Sequence, residues 1–298
     1  MATEGNVVLA DGRHVSYAEY GLPDGHPVLY FHGAPSSRLE PLLIGEDAFI
    51  RHGLRIIAPD RPGMGRSSFQ THRGFSAWPV DVAAMADALG LEKFSVLGNS
   101  GGGVYAAACA ARIPQRLHSA VMVSSIWRMD QPQNLAGLHV MTRLAWRLAK
   151  WAPPLLGLLL KNVATTAGRD LARMKSVLPQ PDYDTLESAG RFEILGYVLR
   201  EAMRQGAKGP AWDVSLYVHP FDIRVQDIPI PLHVFHGMKD AHVPLRLVRA
   251  ALADIPTARL TAYPHEAHLS TLCNRFDDIA RALLDGCPPA QPAQVAIS

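Results

Sequence analysis

Short apolar runs alternate with helix-period stretches along most of this chain. Residues 7–9 and 14–20 flank Asp11-Gly12, a turn signal that predicts an opening antiparallel hairpin. Beyond Pro23-Asp24-Gly25, apolar runs at residues 28–31, 55–58, 94–97, 120–123, 232–235 and 260–263 have the length of strands, and helical patterns separate them. One of those patterns covers residues 81–89, with Ser76 as its expected N-cap and Gly90 as its stop. Near-continuous apolar strands alternating with helices predict an α/β protein, built on a mainly parallel, eight-stranded sheet with helices on both faces.

Between residues 126 and 220 the alternation stops. The segment reads as several helices rich in Leu, Ala, Trp and Arg, broken at Pro153-Pro154, at Gly168 and at residues 179–181 and 206–210. The predicted organisation is a core made of residues 1–125 and 221–298, with residues 126–220 inserted as a helical cap. The insertion holds twelve basic and eight acidic residues, a modest excess that reads as solvated helical faces. Residues 288–298, rich in Pro, Gln and Ala, read as a frayed tail.

Composition narrows the class. The 298 residues are 48% hydrophobic and 19% charged, the profile of a globular protein able to bury a large core. A net charge of +2 favours neither nucleic acid nor an anionic membrane as the main partner. Residues 1–6 carry an acid and no apolar leader, and the longest apolar stretch, residues 152–160, is interrupted by Pro153, Pro154 and Gly157. It is far shorter than the roughly 20 residues a membrane span needs, so neither a secretory leader nor a span is expected. Three cysteines, Cys109, Cys273 and Cys287, lack metal-ligand spacing. A reduced, cytoplasmic setting without a bound metal is the expectation, with Cys109 in the core.

The candidate chemistry starts at Ser100. It lies in Gly98-Asn99-Ser100-Gly101-Gly102, a G-x-S-x-G pentapeptide directly after an apolar strand and before the small-residue stretch 104–111. A Ser on a tight strand-to-helix turn points its hydroxyl away from the sheet, and the glycines let backbones pass closely. The hydroxyl is a weak nucleophile, so it needs a base, and the base needs a partner that fixes its tautomer. Asp240, in His236-Gly237-Met238-Lys239-Asp240, and His268, in Tyr263-Pro264-His265-Glu266-Ala267-His268, each follow a predicted strand. Loops at the carboxyl ends of neighbouring parallel strands share one crevice, which can unite Ser100, Asp240 and His268. His32-Gly33-Ala34-Pro35 follows another strand, and the amides of Ala34 and Gly101 are the expected donors to an oxyanion.

These residues resemble the α/β-hydrolase superfamily in its capped, esterase-like subgroup. The elbow at residues 98–102, the loop at 32–35, Asp60-Arg61-Pro62-Gly63-Met64-Gly65-Arg66-Ser67, the turn at 236–240 and the terminal His268 match in order, across nearly all of residues 7–285. The resemblance implies a Ser-His-Asp hydrolase that uses no cofactor. Two positions depart from the family pattern: Asn99 stands where His, Trp or Phe is frequent, and His265 stands where Gly is common, creating a rival base three residues before His268.

Other readings are structural. His32 and His236 are expected to shape their turns, His242 to have a surface or loop role, and Asp60 to brace its loop or pair with Arg61. Asp222 and Asp227 precede their strand and are poorer acids than Asp240. Trp127, Trp146, Trp151, Leu155, Leu156 and Leu158 to Leu160 are candidates for an apolar pocket, although at helical spacing such residues more often form core or cap contacts; Tyr105 and Met238 are weighed the same way. The expected reaction is hydrolysis of a small, largely apolar carboxylic ester or lactone through an acyl-enzyme on Ser100. Carbon-carbon bond hydrolysis, perhydrolysis and hydroxynitrile cleavage can use the same triad, and a ligand receptor can use the same scaffold. A Ser at position 100 argues against epoxide hydrolase and dehalogenase chemistry, which needs a carboxylate nucleophile.

Overall fold

The computed structural model of the chain describes residues 3–125, 128–136, 138–166 and 175–287. The expected tail at 288–298 and the pocket candidate Trp127 lie outside the described residues. A single sheet in the order β1-β2-β4-β3-β5-β6-β7-β8 forms the centre. Its strands are β1 (Thr3–Val8), β2 (His14–Gly21), β3 (His26–Phe31), β4 (Leu54–Pro59), β5 (Phe94–Asn99), β6 (Leu117–Val123), β7 (Leu232–Gly237) and β8 (Ala258–Tyr263). β2 runs antiparallel to both of its neighbours, and every pairing from β3 to β8 is parallel.

Each apolar run became a strand, usually longer than the run itself. β6 starts at Leu117, three residues before its run, because the polar Ser119 is buried with its hydroxyl donating to the Ala282 carbonyl at 2.6 Å. A buried hydroxyl with a partner behaves as part of the core, which polarity alone conceals.

In chain order the helices are α1 (Glu46–Arg51), α2 (Trp78–Ala88), α3 (Gly102–Arg112), α4 (Pro132–Leu135), α5 (Val140–Trp151), α6 (Pro153–Thr166), α7 (Gln180–Glu187), α8 (Arg191–Ala202), α9 (Lys208–Leu216), α10 (Leu245–Leu252), α11 (His268–Asn274) and α12 (Phe276–Leu283). Alternate strand residues serve opposite faces. Leu29, Val96 and Val234 pack with Met85 of α2, Ala106 of α3 and Leu247 of α10, while Val28, Ile56 and Leu97 pack with Phe49 of α1 and Ile279 of α12. Each fully buried Leu, Ile or Phe contributes roughly 1.5–3 kcal/mol. Cys109 is in this core, as expected.

Ser76 does not cap a helix. It sits in a 3₁₀ turn, Phe75–Ala77, that leads into α2, and its own amide and that of Phe75 donate to Asp222. An acid 146 residues away does the capping, which local sequence does not show.

Between β6 and β7 the described residues form helices and no strand. Their acids are not all on solvated faces: Asp182 and Asp213 are fully buried and Glu201 nearly so. No helix among the described residues is long and apolar enough to cross a membrane.

Candidate active site

The parallel strands β3, β5, β6, β7 and β8 end at one edge, and the candidate residues lie on the loops that leave it. β5 ends at Asn99 and α3 begins at Gly102, so Ser100 reverses the chain at φ +50°. For a residue with a side chain this left-handed conformation costs about 1–2 kcal/mol. The surrounding backbone leaves little choice: a Cβ on Gly102 would collide with the Phe31 carbonyl oxygen, and one on Gly98 with the carbonyl of Gly102. The Ser100 amide donates to the Val123 carbonyl at 2.8 Å, and the next residue along, Ser124, donates its hydroxyl to the His268 carbonyl at 3.0 Å. Ser100 and His268 are thus tied to one two-residue stretch at the end of β6.

The His268 ring donates from Nδ1 to Oδ2 of Asp240 at 2.7 Å. The carboxylate can only accept, so Nδ1 carries the proton and Nε2 is left as the basic nitrogen. Oδ1 of Asp240 accepts the amides of His242 and Val243, both at 2.8 Å, which locks the carboxylate. Burial alone would lower the basicity of His268, but the Asp240 charge and hydrogen bond outweigh it and raise the His268 pKa above 6.5. Burial likewise pushes Asp240 upward, and the facing His268 ring and the amides more than reverse this, leaving it below 3.8. His265, the rival base, is exposed and lines a separate polar groove with Lys239 and Glu266.

The helix that carries His268 is fixed by a helix from the segment between β6 and β7. Both oxygens of Asp182 in α7 accept the amides that open α11, those of His268 at 3.1 Å and of Leu269 and Ser270 at 2.8 Å. His236 behaves as expected, with Nε2 bonded to the Val243 carbonyl at 2.8 Å. His242 has an exposed side chain, yet its ring meets that of His268 edge-on at 5.2 Å.

On the opposite side of Ser100 stands the loop after β3. Gly33 passes so close that a Cβ there would lie 3.4 Å from Cβ of Ser100, and a Cβ on Gly101 would lie 3.2 Å from the Ala34 amide nitrogen. Ala34 and Gly101 therefore border the same space, next to the Ser100 side chain. Two buried groups clamp the loop. The carboxylate of Glu40 accepts the Gly33 amide at 3.0 Å, the Tyr30 hydroxyl at 2.7 Å and the Asn99 amide group at 2.8 Å. From the other side Arg61 donates to the carbonyls of His32 and Gly33, and its backbone amide donates to Nε2 of His32 at 3.2 Å. Burial, and then the neighbouring Arg61 charge, hold His32 well below its ordinary pKa, so it remains neutral.

Arg61 is in turn held by Asp213 of α9 at 2.8 Å, and Asp213 also receives Arg73 at 2.7 Å. The burial of Asp213 opposes ionisation, and the two guanidinium groups overcome it and hold its pKa far below 3.8. Asp60 does brace its loop, but its partner is Arg38, at 2.9 Å, and not the adjacent Arg61. Consecutive side chains in an extended segment point opposite ways, which separates these two neighbours. Burial outweighs Arg38 and lifts the Asp60 pKa to about 6. Arg38 also binds Glu201 of α8 at 2.7 Å.

The pocket candidates divide by exposure and by what they pack on, and Tyr217, the partner of Trp146, donates its hydroxyl to the Gly101 carbonyl at 2.6 Å. Trp151, Leu155, Leu158 and Leu159 are exposed, Leu156 is buried, Trp146 packs on Tyr217, and Tyr105 is bonded to Asp213 and Arg73. Glu40, Asp182 and Asp213 are the residues that sequence reasoning missed. Their only signals are acids set among apolar neighbours, as in Glu40-Pro41-Leu42-Leu43.

The profile of the alpha/beta hydrolase fold family matches residues 26–272. A 2-hydroxymuconate semialdehyde hydrolase of Pseudomonas putida is 27% identical over 268 residues, covering 89% of this chain and 87% of that protein. A non-heme chloroperoxidase of Streptomyces lividans is 38% identical over 127 residues; that match covers 41% of this chain and spans less than half, 45%, of the relative. Among solved structures, an esterase from a Rhodococcus species superimposes with a TM-score of 0.64 at 20% identity, covering 95% of this chain and 99% of that one.

Proposed function

Since this chain belongs to the α/β-hydrolase fold family, we propose that it is a serine hydrolase cleaving a small, largely apolar carboxylic ester or lactone, with Ser100 as nucleophile, His268 as base and Asp240 as the acid that orients it. The reading is carried by the 2.7 Å Nδ1–Oδ2 bond between His268 and Asp240, at the strand edge where Ser100 is held at φ +50°. In the proposed reaction Nε2 of His268 takes the Ser100 proton as Oγ attacks the carbonyl carbon. The amides of Ala34 and Gly101 receive the developing oxyanion, and His268 returns the proton to the leaving alcohol oxygen. Water then gives its proton to His268 and its hydroxyl to the acyl carbon, and His268 passes that proton to the departing Oγ, releasing the acid and restoring Ser100.

In this proposal residues 126–220 act as the cap and hold the body loops through Asp182, Asp213 and Glu201. Ser100 is only 7% exposed and His268 9%, which keeps the charge-separated transition state away from bulk water. The deciding experiment is rapid quench with an aryl ester followed by peptide mass analysis. An acyl adduct on Ser100, absent in Ser100→Ala, is expected; an adduct elsewhere, or turnover by Ser100→Ala, overturns the assignment.

Carbon-carbon bond hydrolysis is the second reading, favoured by the likeness over most of the chain to the 2-hydroxymuconate semialdehyde hydrolase. Turnover of a vinylogous diketone without ester hydrolysis selects it.

A further inference from the structure

Apolar exposure in this protein is concentrated in one place. Among the described residues, eight of the fifteen exposed large hydrophobic side chains fall between Val140 and Val163, on α5 and α6. Val140, Leu144 and Trp151 occupy positions i, i+4 and i+11 of α5, within an arc of about 40° at 3.6 residues per turn. Leu155, Leu158 and Leu159 face outward in the same way from α6. The opposite sides of both helices are used inside the protein: Trp146 of α5 packs on Tyr217, and Gly157 of α6 sits against Ala207 and Ala211. The two helices are joined through Ala152 and pack against one another, so their outward faces are neighbours.

The charge on these faces is of one sign. Arg143, Arg147, Lys150 and Lys161 are exposed among these apolar groups, and no Asp or Glu occurs between Gln131 and Arg169. The chain's net charge of +2 hides this segregation. Beside the patch opens a cleft of about 380 Å³, lined by Arg143, Arg147, Lys150, Trp146 and Trp151, and by Asp130, which is paired with Arg128.

Contiguous apolar surface of this kind on a folded protein marks a contact that excludes water. A second copy meeting the patch by a two-fold axis would set its bases against their own equivalents, a repulsive arrangement. An anionic surface meets both demands at once, because bases bind phosphates while Leu side chains enter the acyl boundary and a Trp settles at headgroup level.

We propose that the α5–α6 pair is a docking face for an anionic lipid bilayer, lying in the headgroup layer with Trp151 at the interface and Arg143, Arg147, Lys150 and Lys161 on lipid phosphates. The face is independent of the hydrolytic reading, since none of its residues touches Ser100, Asp240 or His268.

The test is co-sedimentation of the full chain with vesicles of phosphatidylglycerol and phosphatidylcholine, against vesicles of phosphatidylcholine alone. Binding to the anionic vesicles only, reduced by salt and accompanied by a blue shift in emission that Trp151→Phe abolishes, is expected. Neutralising two bases in Arg143→Gln/Arg147→Gln weakens partitioning about thirtyfold, and Leu155→Ser/Leu158→Ser removes it. All four positions are exposed, so both variants keep the parent's thermal melt and circular dichroism. Failure to bind anionic vesicles overturns the proposal, as does binding that neither double variant alters. So does a dimer in sedimentation velocity that Leu155→Ser/Leu158→Ser dissolves while vesicles bind nothing, which assigns the face to a second copy.

Discussion

The Asn99 side chain donates to Oε1 of Glu40 at 2.8 Å, joining the residue before the strained Ser100 to the carboxylate that also receives the Gly33 amide. The elbow and the loop holding Ala34 are thereby referenced to one buried group. Glu40 receives donors only, from Tyr30, Gly33 and Asn99. A Gln there turns an NH₂ toward one of them, and Glu40→Gln is predicted to shift the loop and weaken the oxyanion contacts. Full loss of one such donor costs about 3 kcal/mol, so a partial displacement lowers kcat roughly ten- to a hundredfold. KM changes little, because the ground-state ester makes the same apolar contacts. Steady-state kinetics check this; a lowered Tm with unchanged kcat assigns Glu40 to stability alone.

The proposed base has a raised pKa, so kcat/KM is predicted to rise with pH through a midpoint above 6.5 as His268 loses its proton. In Asp240→Asn the largest of the charges that oppose burial is lost, so the limb moves to lower pH, and kcat drops by up to about 10⁴-fold as the tautomer is lost. Stability follows the same linkage. His268 binds its proton more tightly folded than unfolded, so its stabilising contribution is complete below pH 6.5 and fades as pH rises through the folded value. Asp240, lowered in the fold, contributes fully above pH 3.8 and loses that contribution as pH falls through its folded value. A pH–rate profile of the wild type and Asp240→Asn separates these effects from general unfolding.

Much of the fold and the candidate site was legible because it is written in local patterns. Apolar runs of strand length marked every parallel strand; Ser100 follows β5 directly, and Asp240 and His268 lie beyond the ends of β7 and β8. What stayed hidden depends on partners remote in sequence. Ser76 looks like a cap by its neighbours, yet Asp222 supplies the cap. Asp60 and Arg61 look like a pair by adjacency, yet each binds a different distant residue. The exposed Leu155 and Leu158 have the same spacing as core residues, and only the docking of α6 decides which side faces inward.

Gly12, in the turn between β1 and β2, and Gly102, at the elbow, offer a contrast between two mechanisms. Gly12 has φ +82° with open space around it, so Gly12→Ala is predicted to cost only the conformational term, about 1–2 kcal/mol. Gly102 has an ordinary helical backbone, but its Cβ would strike the Phe31 carbonyl oxygen. Gly102→Ala has to push β3 from α3, a change predicted to exceed about 4 kcal/mol and to abolish Ser100 labelling by a fluorophosphonate probe. Chemical denaturation of both variants checks the order; equal costs would show that the elbow relaxes freely.

Asp213 holds two arginines at once, and this makes it the most exacting test of how α9 supports the loops around Ser100. Arg61 and Arg73 are both buried, and Asp213→Ala leaves the two charges facing each other without a carboxylate. Breaking a buried pair costs about 3–5 kcal/mol, which for a chain of this size lowers Tm by about 6–20 °C. An exposed pair is the control: conversion to Ala of Asp277, bonded to Arg51 and His52 at the surface, should leave Tm nearly unchanged. Arg61 also carries the His32 and Gly33 carbonyls, so Asp213→Ala is predicted to reduce kcat below the melting range, at temperatures where the variant is still folded by circular dichroism. A variant that melts early but retains wild-type kcat would show that Arg61 holds the loop without help from α9.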